Sequence, residues 1–356
     1  MKKIRVVVVD DSALVRSLLA EIINRQPDMV CVGAASDPLV AREMIRELDP
    51  DVITLDVEMP KMDGIEFLSR LMRLRPMPVV MISTLTERGT EVTMRALELG
   101  AVDFVAKPKA GLADGFSALA AQIVEKIRIA ASARVKRAAV QPTGAGQVGG
   151  RPQAPPKEVK LLGARSHDKL IFIGASTGGT EAIKEVLTRL PSDVPAILIT
   201  QHMPAGFTRS FADRLNTLCA MTVKEAEAGE RILSGYAYIA PGGRQFSVER
   251  RSGSLVAVVE DSALVNRHKP SVEVLFRSAA LVLRTHAIGV MLTGMGSDGA
   301  RAMREMKDAG SYNIVQDEAS SVVFGMPREA IAHGAANEIL SVTLIAAALL
   351  AQLKSP

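Results

Sequence analysis

Residues 171–183 read IFIGASTGGTEAI, which is an apolar run, a cluster of small residues and the beginning of an amphipathic segment. This order is typical of a buried strand, a tight turn and the start of a helix. The turn contains the letters of a G-x-S-x-G nucleophile motif centred on Ser176. No Lys follows the glycines at the spacing of a Walker loop. The stretch alone leaves three interpretations open: the seat of a nucleophile, a phosphate cradle, or a turn without chemistry.

The N-terminal part of the chain repeats the alternation of strands and helices. Strands are predicted at 4–10, 29–36, 51–56, 78–83 and 102–108, with helices at 13–25, 38–48, 64–74 and 88–98. Continuous apolar strands that alternate with helices indicate a parallel sheet covered on both faces. Five such units predict a five-stranded, doubly wound, flavodoxin-like fold.

The C-terminal part shows the same rhythm. Strands are predicted at 169–176, 196–202, 237–241 and 287–295, with helices at 181–190, 205–218, 271–284 and 299–309. Residues 245–261 are typical of an antiparallel hairpin that turns at Ser252-Gly253. We therefore expect a second, mostly parallel, doubly wound α/β domain with a hairpin at one edge.

A flexible linker is predicted between the two parts. A helix from about 115 to 137 gives way to VQPTGAGQVGGRPQAPPKE at 140–158, where Pro and Gly are dense and apolar periodicity is lost. The predicted domains are accordingly residues 1–125, a helical extension with a basic linker at 126–167, and residues 168–352.

Composition limits the classes of protein that the chain can belong to. Its 356 residues, 48% of them hydrophobic, suffice for two domains with sizeable cores. No apolar run approaches the roughly 20 residues of a membrane span, and no cleavable signal precedes the first strand, so we expect a soluble cytoplasmic protein. Most of the basic excess lies in residues 126–170, which carry ten Lys or Arg against two Asp or Glu. That location favours a solvated linker over a nucleic-acid site.

Polar residues follow four of the N-terminal strands. Asp10 and Asp11 end the first strand, Asp56 the third, Ser83 the fourth and Lys107 the fifth. Because the carboxyl ends of parallel strands meet at one edge, we expect these side chains to gather there. Three crowded carboxylates favour a divalent cation, and their hard oxygens favour Mg²⁺. With an ammonium and a hydroxyl beside them, one carboxylate can accept a phosphoryl group.

With these residues in this order, residues 1–125 resemble the receiver domain of bacterial response regulators. The resemblance implies that a histidine kinase phosphorylates Asp56. The implied phosphorylation pocket comprises Asp10, Asp11, Ser83 and Lys107, and the implied Mg²⁺ ligands are Asp11, Asp56 and the backbone carbonyl of Glu58. Ser83 and Phe104 match the hydroxyl and aromatic positions that move on phosphorylation, although Phe lacks the phenol of a Tyr.

If Ser176 is a nucleophile, it needs a base on the same edge of its sheet. His202 ends the next strand and satisfies this condition, whereas His286 precedes its strand and lies at the opposite edge. His268, in NRHKPS, precedes a helix and competes with His202 for the role. Asp298, just beyond the strand at 287–295, is placed to orient the imidazole. These residues predict a Ser-His-Asp triad of Ser176, His202 and Asp298.

Four stretches, GASTGGTEAI, TQHMP, RHKPSV and LTGMGSDGA, resemble the catalytic domain of chemotaxis receptor methylesterases, and the resemblance covers nearly all of residues 168–352. It implies that the triad hydrolyses γ-glutamyl methyl esters of chemoreceptors and deamidates specific receptor glutamines. It also implies that Thr177 and Met295 lie beside the site. Backbone N–H groups at the start of the 181–190 helix are expected to stabilise the oxyanion.

The resemblance extends to partners and regulation. Expected partners are the chemoreceptors (methyl-accepting chemotaxis proteins) and the histidine kinase CheA as phosphodonor. We expect a cytoplasmic monomer, recruited to membrane receptor clusters, that binds no nucleic acid, does not insert into the membrane and needs no cofactor for ester hydrolysis. The unphosphorylated receiver is expected to dock over the edge that carries Ser176. Two alternatives remain: a non-catalytic response regulator whose second domain binds a partner, and an esterase for a soluble small ester.

Overall fold

The computed structural model describes residues 2–57, 59, 64–83, 86–107, 112–135 and 169–354. Within them the chain forms a five-stranded sheet, a seven-stranded sheet and a separate two-stranded hairpin. We call residues 2–135 the N-terminal unit and residues 169–354 the C-terminal unit. The predicted linker at 140–158 lies outside the described residues.

The N-terminal unit alternates strands with helices, as the apolar runs predict. Its elements are β1 (Ile4–Val9), α1 (Ala13–Asn24), β2 (Met29–Ala35), α2 (Pro38–Leu48), β3 (Val52–Asp56), α3 (Gly64–Leu74), β4 (Val79–Ser83), α4 (Glu87–Glu98), β5 (Asp103–Ala106) and α5 (Leu112–Ser132). The strand order is β2-β1-β3-β4-β5, and every neighbouring pair is parallel. This is the flavodoxin-like order, so the predicted fold is confirmed.

Short polar side chains fix where several of these helices begin. Ser12 accepts a hydrogen bond from the Val15 N–H at the start of α1, and Asp37 caps α2 in the same way, with Pro38 in its first turn. Thr86 caps α4 through the Gly89 N–H. Each cap satisfies a backbone donor that the helix itself leaves free. The helix after β1 consequently starts only three residues beyond Asp10.

The C-terminal unit has a larger sheet. Its elements are β6 (Leu170–Ala175), α6 (Gly179–Leu187), β7 (Ile197–Gln201), α7 (Phe207–Asn216), β8 (Thr222–Glu225), β9 (Tyr236–Ile239), β10 (Gln245–Arg251), β11 (Ser254–Glu260), α8 (Val272–Val282), β12 (Ala287–Met291), α9 (Ala300–Asp308), β13 (Tyr312–Gln316), α10 (Met326–Ala332), β14 (Glu338–Leu340) and α11 (Val342–Lys354). The order is β14-β13-β12-β6-β7-β9-β8, again with parallel neighbours.

This order creates a switch point beside β6. The chain runs outward from β6 through β7, then returns to the other side of β6 as β12. Doubly wound sheets bind ligands at the carboxyl edge where the strand order reverses. The loops that follow β6, β7 and β12 are therefore the expected location of a site in this unit.

The predicted hairpin is present but does not extend the seven-stranded sheet. Strands β10 and β11 pair antiparallel about Ser252-Gly253, whose φ angles of 47° and 82° suit a tight turn. The hairpin packs against α8 instead, where the Ser278 hydroxyl accepts a hydrogen bond from the Val248 N–H. It thus forms a small sheet of its own.

On the N-terminal side, the units contact each other through α4, β5 and the residues just after α5. The rings of Phe104 and Phe207 lie 4.3 Å apart between centroids. Two ion pairs also cross the boundary, with the shortest N···O distance 2.9 Å for Arg214–Glu98 and 2.6 Å for Arg134–Glu318. No described helix has both the length and the apolar character needed to cross a membrane.

Candidate active site and phosphorylation pocket

Ser176 follows β6 directly and lies at the switch point. Its N–H donates to the Thr293 carbonyl (3.0 Å), and its carbonyl accepts from the Gln201 side-chain amide (2.9 Å). Two glycines near Ser176 leave no room for a larger residue or adopt a conformation that favours glycine. A Cβ on Gly294 would lie 2.8 Å from the Ser176 Cβ, and Gly178 has a φ of 76°. The turn therefore holds the Ser176 backbone from both sides.

His202 and Asp298 form a hydrogen-bonded pair beside this turn. The Nε2 atom of His202 lies 2.8 Å from Oδ2 of Asp298, and the His202 N–H donates to the Ala175 carbonyl (3.1 Å), one residue before Ser176. The geometry assigns the imidazole proton to Nε2. Nδ1 of His202 is buried and has no hydrogen-bond partner among the described residues. This nitrogen is left as the acceptor, which is what a general base requires.

Asp298 is saturated with donors. Besides His202, it accepts hydrogen bonds from the Asn266 amide (2.8 Å), the Ser271 hydroxyl (2.7 Å) and the Val272 N–H (2.7 Å). Burial opposes its ionisation, but the hydrogen bond from His202 and those from Asn266 and Ser271 outweigh burial and lower the pKa of Asp298 to about 2. The carboxylate is thus a fixed negative charge behind the imidazole.

The other histidines occupy different positions. His268 stacks on His202, with ring centroids 3.7 Å apart and an interplanar angle of 9°. His286 lies in the 3-10 turn before β12, at the opposite edge of the sheet, as expected. Nδ1 of His333 lies 2.8 Å from the Glu329 carbonyl oxygen within its own helical segment. Only His202 is hydrogen-bonded to Asp298 among the described histidines.

The start of α6 supplies backbone donors close to Ser176. The helix begins at Gly179, two residues earlier than expected, and its N-cap Gly178 provides no side-chain hydrogen bond. The Gly179 N–H is already bonded to the Ser176 carbonyl (2.7 Å). Since a first turn carries further N–H groups without helical partners, later donors of the turn remain candidates for an oxyanion.

The two residues expected beside the site differ in exposure. Met295 follows Gly294 and is 45% exposed. Thr177 is buried, and its hydroxyl donates to Oδ2 of Asp103 in the N-terminal unit (2.6 Å). A side chain of one unit thus bonds the residue next to Ser176 in the other.

The carboxyl edge of the five-stranded sheet gathers the predicted acidic residues. Oxygen atoms of Asp10, Asp11 and Asp56 lie within 4.8 Å of one another, and only Asp11 is exposed. Nζ of Lys107 lies 2.9 Å from Asp10 and 2.8 Å from Asp56. Burial lowers the pKa of Lys107, but the two carboxylates outweigh burial and raise it above its usual value. Lys107 therefore stays charged.

The acidic cluster suits a hard cation. Lys107 pairs with two of the three carboxylates, those of Asp10 and Asp56, so negative charge remains at the site. Oxygen donors are the ligands that Mg²⁺ prefers. Glu58, whose carbonyl is the third implied ligand, lies outside the described residues. The Ser83 hydroxyl points to α4, 2.6 Å from the Thr93 hydroxyl and 3.1 Å from the Gly89 carbonyl.

Sequence reasoning missed three residues that contact the site. Asn266 and Ser271 bond Asp298 from the loop that contains RHKPSV, and Asp103 reaches Thr177 from the other unit. The quoted stretch pointed to the loop but not to these roles, because their partners are about 30 or more residues away. Nothing in the sequence places Asp103 at the boundary between the units.

Comparison with known proteins identifies the families that the two units resemble. Residues 171–349 match the family model of the CheB methylesterase, and residues 6–113 match that of the response regulator receiver domain. The chain is 71% identical over 360 residues to protein-glutamate methylesterase/protein-glutamine glutaminase 1 of Albidiferax ferrireducens, an alignment that covers all of this chain and 95% of that one. Protein-glutamate methylesterase/protein-glutamine glutaminase of Paraburkholderia xenovorans is 59% identical over 357 residues, an alignment that covers all of this chain and 98% of that one.

Among solved structures, the CheB methylesterase catalytic domain of Thermotoga maritima superposes with a TM-score of 0.51 at 38% identity. It covers 51% of this chain and 97% of that one.

Proposed function

The chain belongs to the CheB family of protein-glutamate methylesterases/protein-glutamine glutaminases, and from this we propose that it is a phosphorylation-activated hydrolase of chemotaxis adaptation. Its substrates are γ-glutamyl methyl esters and specific glutamine amides of methyl-accepting chemotaxis proteins. Ser176, His202 and Asp298 form the catalytic triad. The observation that carries the proposal is the 2.8 Å contact between His202 and Asp298 beside the Ser176 turn.

Acylation follows from this arrangement. Ser176 Oγ attacks the ester or amide carbonyl while Nδ1 of His202 takes its proton. The hydrogen bond from Nε2 to Asp298 holds the tautomer and stabilises the imidazolium that forms. When the C–O or C–N bond breaks, His202 returns the proton to the leaving methanol or ammonia.

Deacylation uses the same groups. Water attacks the acyl-enzyme as its proton passes to His202, and the proton then returns to Ser176 as the glutamate carboxyl is released. In both steps, N–H groups in the first turn of α6 stabilise the oxyanion, and Thr177 and Met295 flank it. The same triad and oxyanion donors therefore serve both ester and amide hydrolysis.

We assign regulation to the N-terminal receiver. Asp56 accepts a phosphoryl group from the histidine kinase CheA, with Asp10, Asp11, Ser83 and Lys107 forming its pocket. Asp11, Asp56 and the Glu58 carbonyl would hold Mg²⁺, which supplies neutralising charge to the phosphoryl oxygens when it is bound. Lys107, 2.8 Å from Asp56, supplies a second positive charge.

Contacts between the units support inhibition by the unphosphorylated receiver. Asp103 accepts a hydrogen bond from Thr177, the residue after Ser176, and Phe104 packs on Phe207. Phe104 lies on β5, the strand that leads to Lys107 in the phosphorylation pocket. A receiver held by these contacts restricts the approach of a chemoreceptor helix to Ser176. Phosphorylation would release it.

The domain limits and cellular setting belong to the same proposal. The receiver comprises residues 1–125, the helical extension and linker 126–167, and the catalytic domain 168–352. The enzyme works in the cytoplasm as a monomer recruited to receptor clusters. It does not insert into the membrane, bind nucleic acid or use a cofactor in ester hydrolysis.

A single assay tests both halves of the proposal. Methanol release from methylated chemoreceptor is measured with the full chain, with and without Mg²⁺ and a small-molecule phosphodonor. Wild type should gain activity from the phosphodonor, whereas Asp56→Asn should keep the basal rate and gain nothing. Ser176→Ala should release no methanol above background. Activity in Ser176→Ala would remove the catalytic assignment and favour a binding role for the C-terminal domain.

A further inference from the structure

A tight turn at residues 265–268 brings two side chains to the His202–Asp298 pair. The Val265 N–H donates to the His268 carbonyl (3.1 Å) and the His268 N–H donates back to Val265 (2.9 Å). Between them, Asn266 and Arg267 have φ angles of 51° and 68°. With both ends of the turn bonded, Asn266 reaches Asp298 and His268 stacks on His202.

We propose that His268 is a positioning residue for the hydrolysis: its ring holds the imidazole of His202 with Nε2 toward Asp298 and Nδ1 toward Ser176. The inference rests on the proposed roles of those three residues. In this proposal His268 acts through His202 and takes no proton itself.

The need for such a residue follows from the freedom of an imidazole. Rotation about the Cβ–Cγ bond of histidine is only weakly restricted by its own torsion. His202 has one side-chain hydrogen bond, to Asp298, and its Nδ1 has no partner among the described residues. A parallel ring whose centroid is 3.7 Å away blocks rotation, because a turned His202 would drive its edge into His268.

His268 can serve this role only while it is neutral, because two charged imidazoles at this distance would repel. Burial, first of all, and then the charges of His202, Lys126 and Arg267 lower the pKa of His268, while Asp298 opposes them; the net result is a pKa of about 4. His268 thus stays neutral above about pH 5, while His202 gains and loses a proton in each cycle.

The same geometry argues against His268 as the general base. Asp298 already accepts from His202, Asn266, Ser271 and the Val272 N–H. An ionised carboxylate offers about four lone-pair positions, so no acceptor site is left to orient a second imidazole. His268, which competes with His202 for the role of base in the sequence analysis, is therefore assigned a positioning role.

Three substitutions of His268 separate orientation from proton transfer and from filling of space. His268→Phe keeps a flat ring without nitrogen atoms, His268→Leu keeps apolar bulk without a flat ring, and His268→Ala removes both. His286→Ala, at the opposite edge of the sheet, is the matched control. Each is made in the full chain and assayed for methanol release from methylated chemoreceptor with Mg²⁺ and phosphodonor, and folding is checked by thermal melting.

We expect kcat to fall about tenfold or more in His268→Ala and His268→Leu, with KM changed less than about twofold, because misorientation affects the reacting atoms and not binding. His268→Phe should keep at least about a third of wild-type kcat and an unchanged pH profile above pH 5. Loss of activity in His268→Phe equal to that in His268→Ala, or wild-type kcat in His268→Leu, overturns the proposal. Ser176→Ala is run in parallel, since activity in that variant would refute the triad and not the stacking argument alone.

Discussion

The buried carboxylate of Asp298 is stabilised by hydrogen-bond donors on all sides. The residue is 2% exposed, and an unpaired carboxylate at that depth would be strongly destabilising. Four donors surround it, two of them side chains from the loop before α8. The loop therefore stabilises the charge that orients His202.

Substitution of the nucleophile and the base should abolish turnover together. Ser176→Ala and His202→Ala are each expected to lower methanol release by a factor on the order of 10³ or more, and the double variant should be little worse, because the pair acts as a unit. Asp298→Asn should cost less than either. His333→Ala, whose ring bonds within its own helix, is the control. Wild-type turnover in His202→Ala would contradict the assignment.

The lowered pKa of Asp298 has a consequence for stability. A carboxyl group whose folded pKa is about 2, against about 3.9 when unfolded, stabilises the fold above the unfolded value and loses that contribution as pH falls through 2. The contribution is about 2 kcal/mol. The difference in unfolding free energy between wild type and Asp298→Asn should therefore narrow between pH 5 and pH 2. Urea denaturation followed by circular dichroism at each pH measures this difference in unfolding free energy. A difference that stays constant from pH 5 to pH 2 would contradict the prediction.

The strands and helices were predictable where the pattern is local. All five strands of the first sheet are apolar runs, and the hairpin is specified by its Ser252-Gly253 turn. The position of that hairpin was not predictable, because it depends on packing against α8, which is distant in sequence. The three-residue strand β14 carries too little pattern to identify.

The candidate site also has a part that local sequence predicts and a part that depends on contacts between distant residues. Because the carboxyl ends of parallel strands share an edge, the sequence predicts that Ser176, His202 and Asp298 lie near one another. In the structure His202 is hydrogen-bonded to Asp298 beside the Ser176 turn, and the catalytic triad itself stays a prediction. The stacking of His268 and the bond from Asp103 to Thr177 depend on how loops and units pack. No local pattern encodes either contact.

Strand β5 offers a direct test of inhibition. Asp103 bonds both Thr177 and Lys126, so Asp103→Asn should weaken the docked receiver without touching Asp56. A hydrogen bond to a charged group contributes about 1.5–3 kcal/mol, so basal activity should rise about tenfold.

The matched control is Asp28→Asn, which breaks the Asp28–Arg128 pair within the N-terminal unit. Methanol release without phosphodonor is the measurement for both variants. Equal basal rates in Asp103→Asn and Asp28→Asn would show that this contact does not restrain the enzyme.

The boundary between the units has few strong polar contacts. It combines one tilted aromatic pair and the Thr177–Asp103 hydrogen bond with exposed ion pairs such as Arg134–Glu318, whose side chains are 56% and 57% exposed. Exposed pairs of this kind contribute little. If the proposed regulation holds, a change of a few kcal/mol caused by phosphorylation of Asp56, two strands away from β5 in the same sheet, would shift the balance between docked and released receivers.

Removal of the receiver tests whether docking alone explains regulation. The fragment 168–356 retains the complete seven-stranded sheet and the loops that carry Ser176, His202 and Asp298. Each tenfold change in the docking equilibrium corresponds to about 1.4 kcal/mol of differential stabilisation. The fragment has no receiver, so none of the free energy of docking remains. We expect it to exceed the unphosphorylated full chain in methanol release and to ignore the phosphodonor. A fragment that melts cooperatively yet shows only the basal rate of the intact chain would rule out simple occlusion. The receiver would then have to act positively, by ordering the loops around Ser176 or by delivering the enzyme to its chemoreceptor.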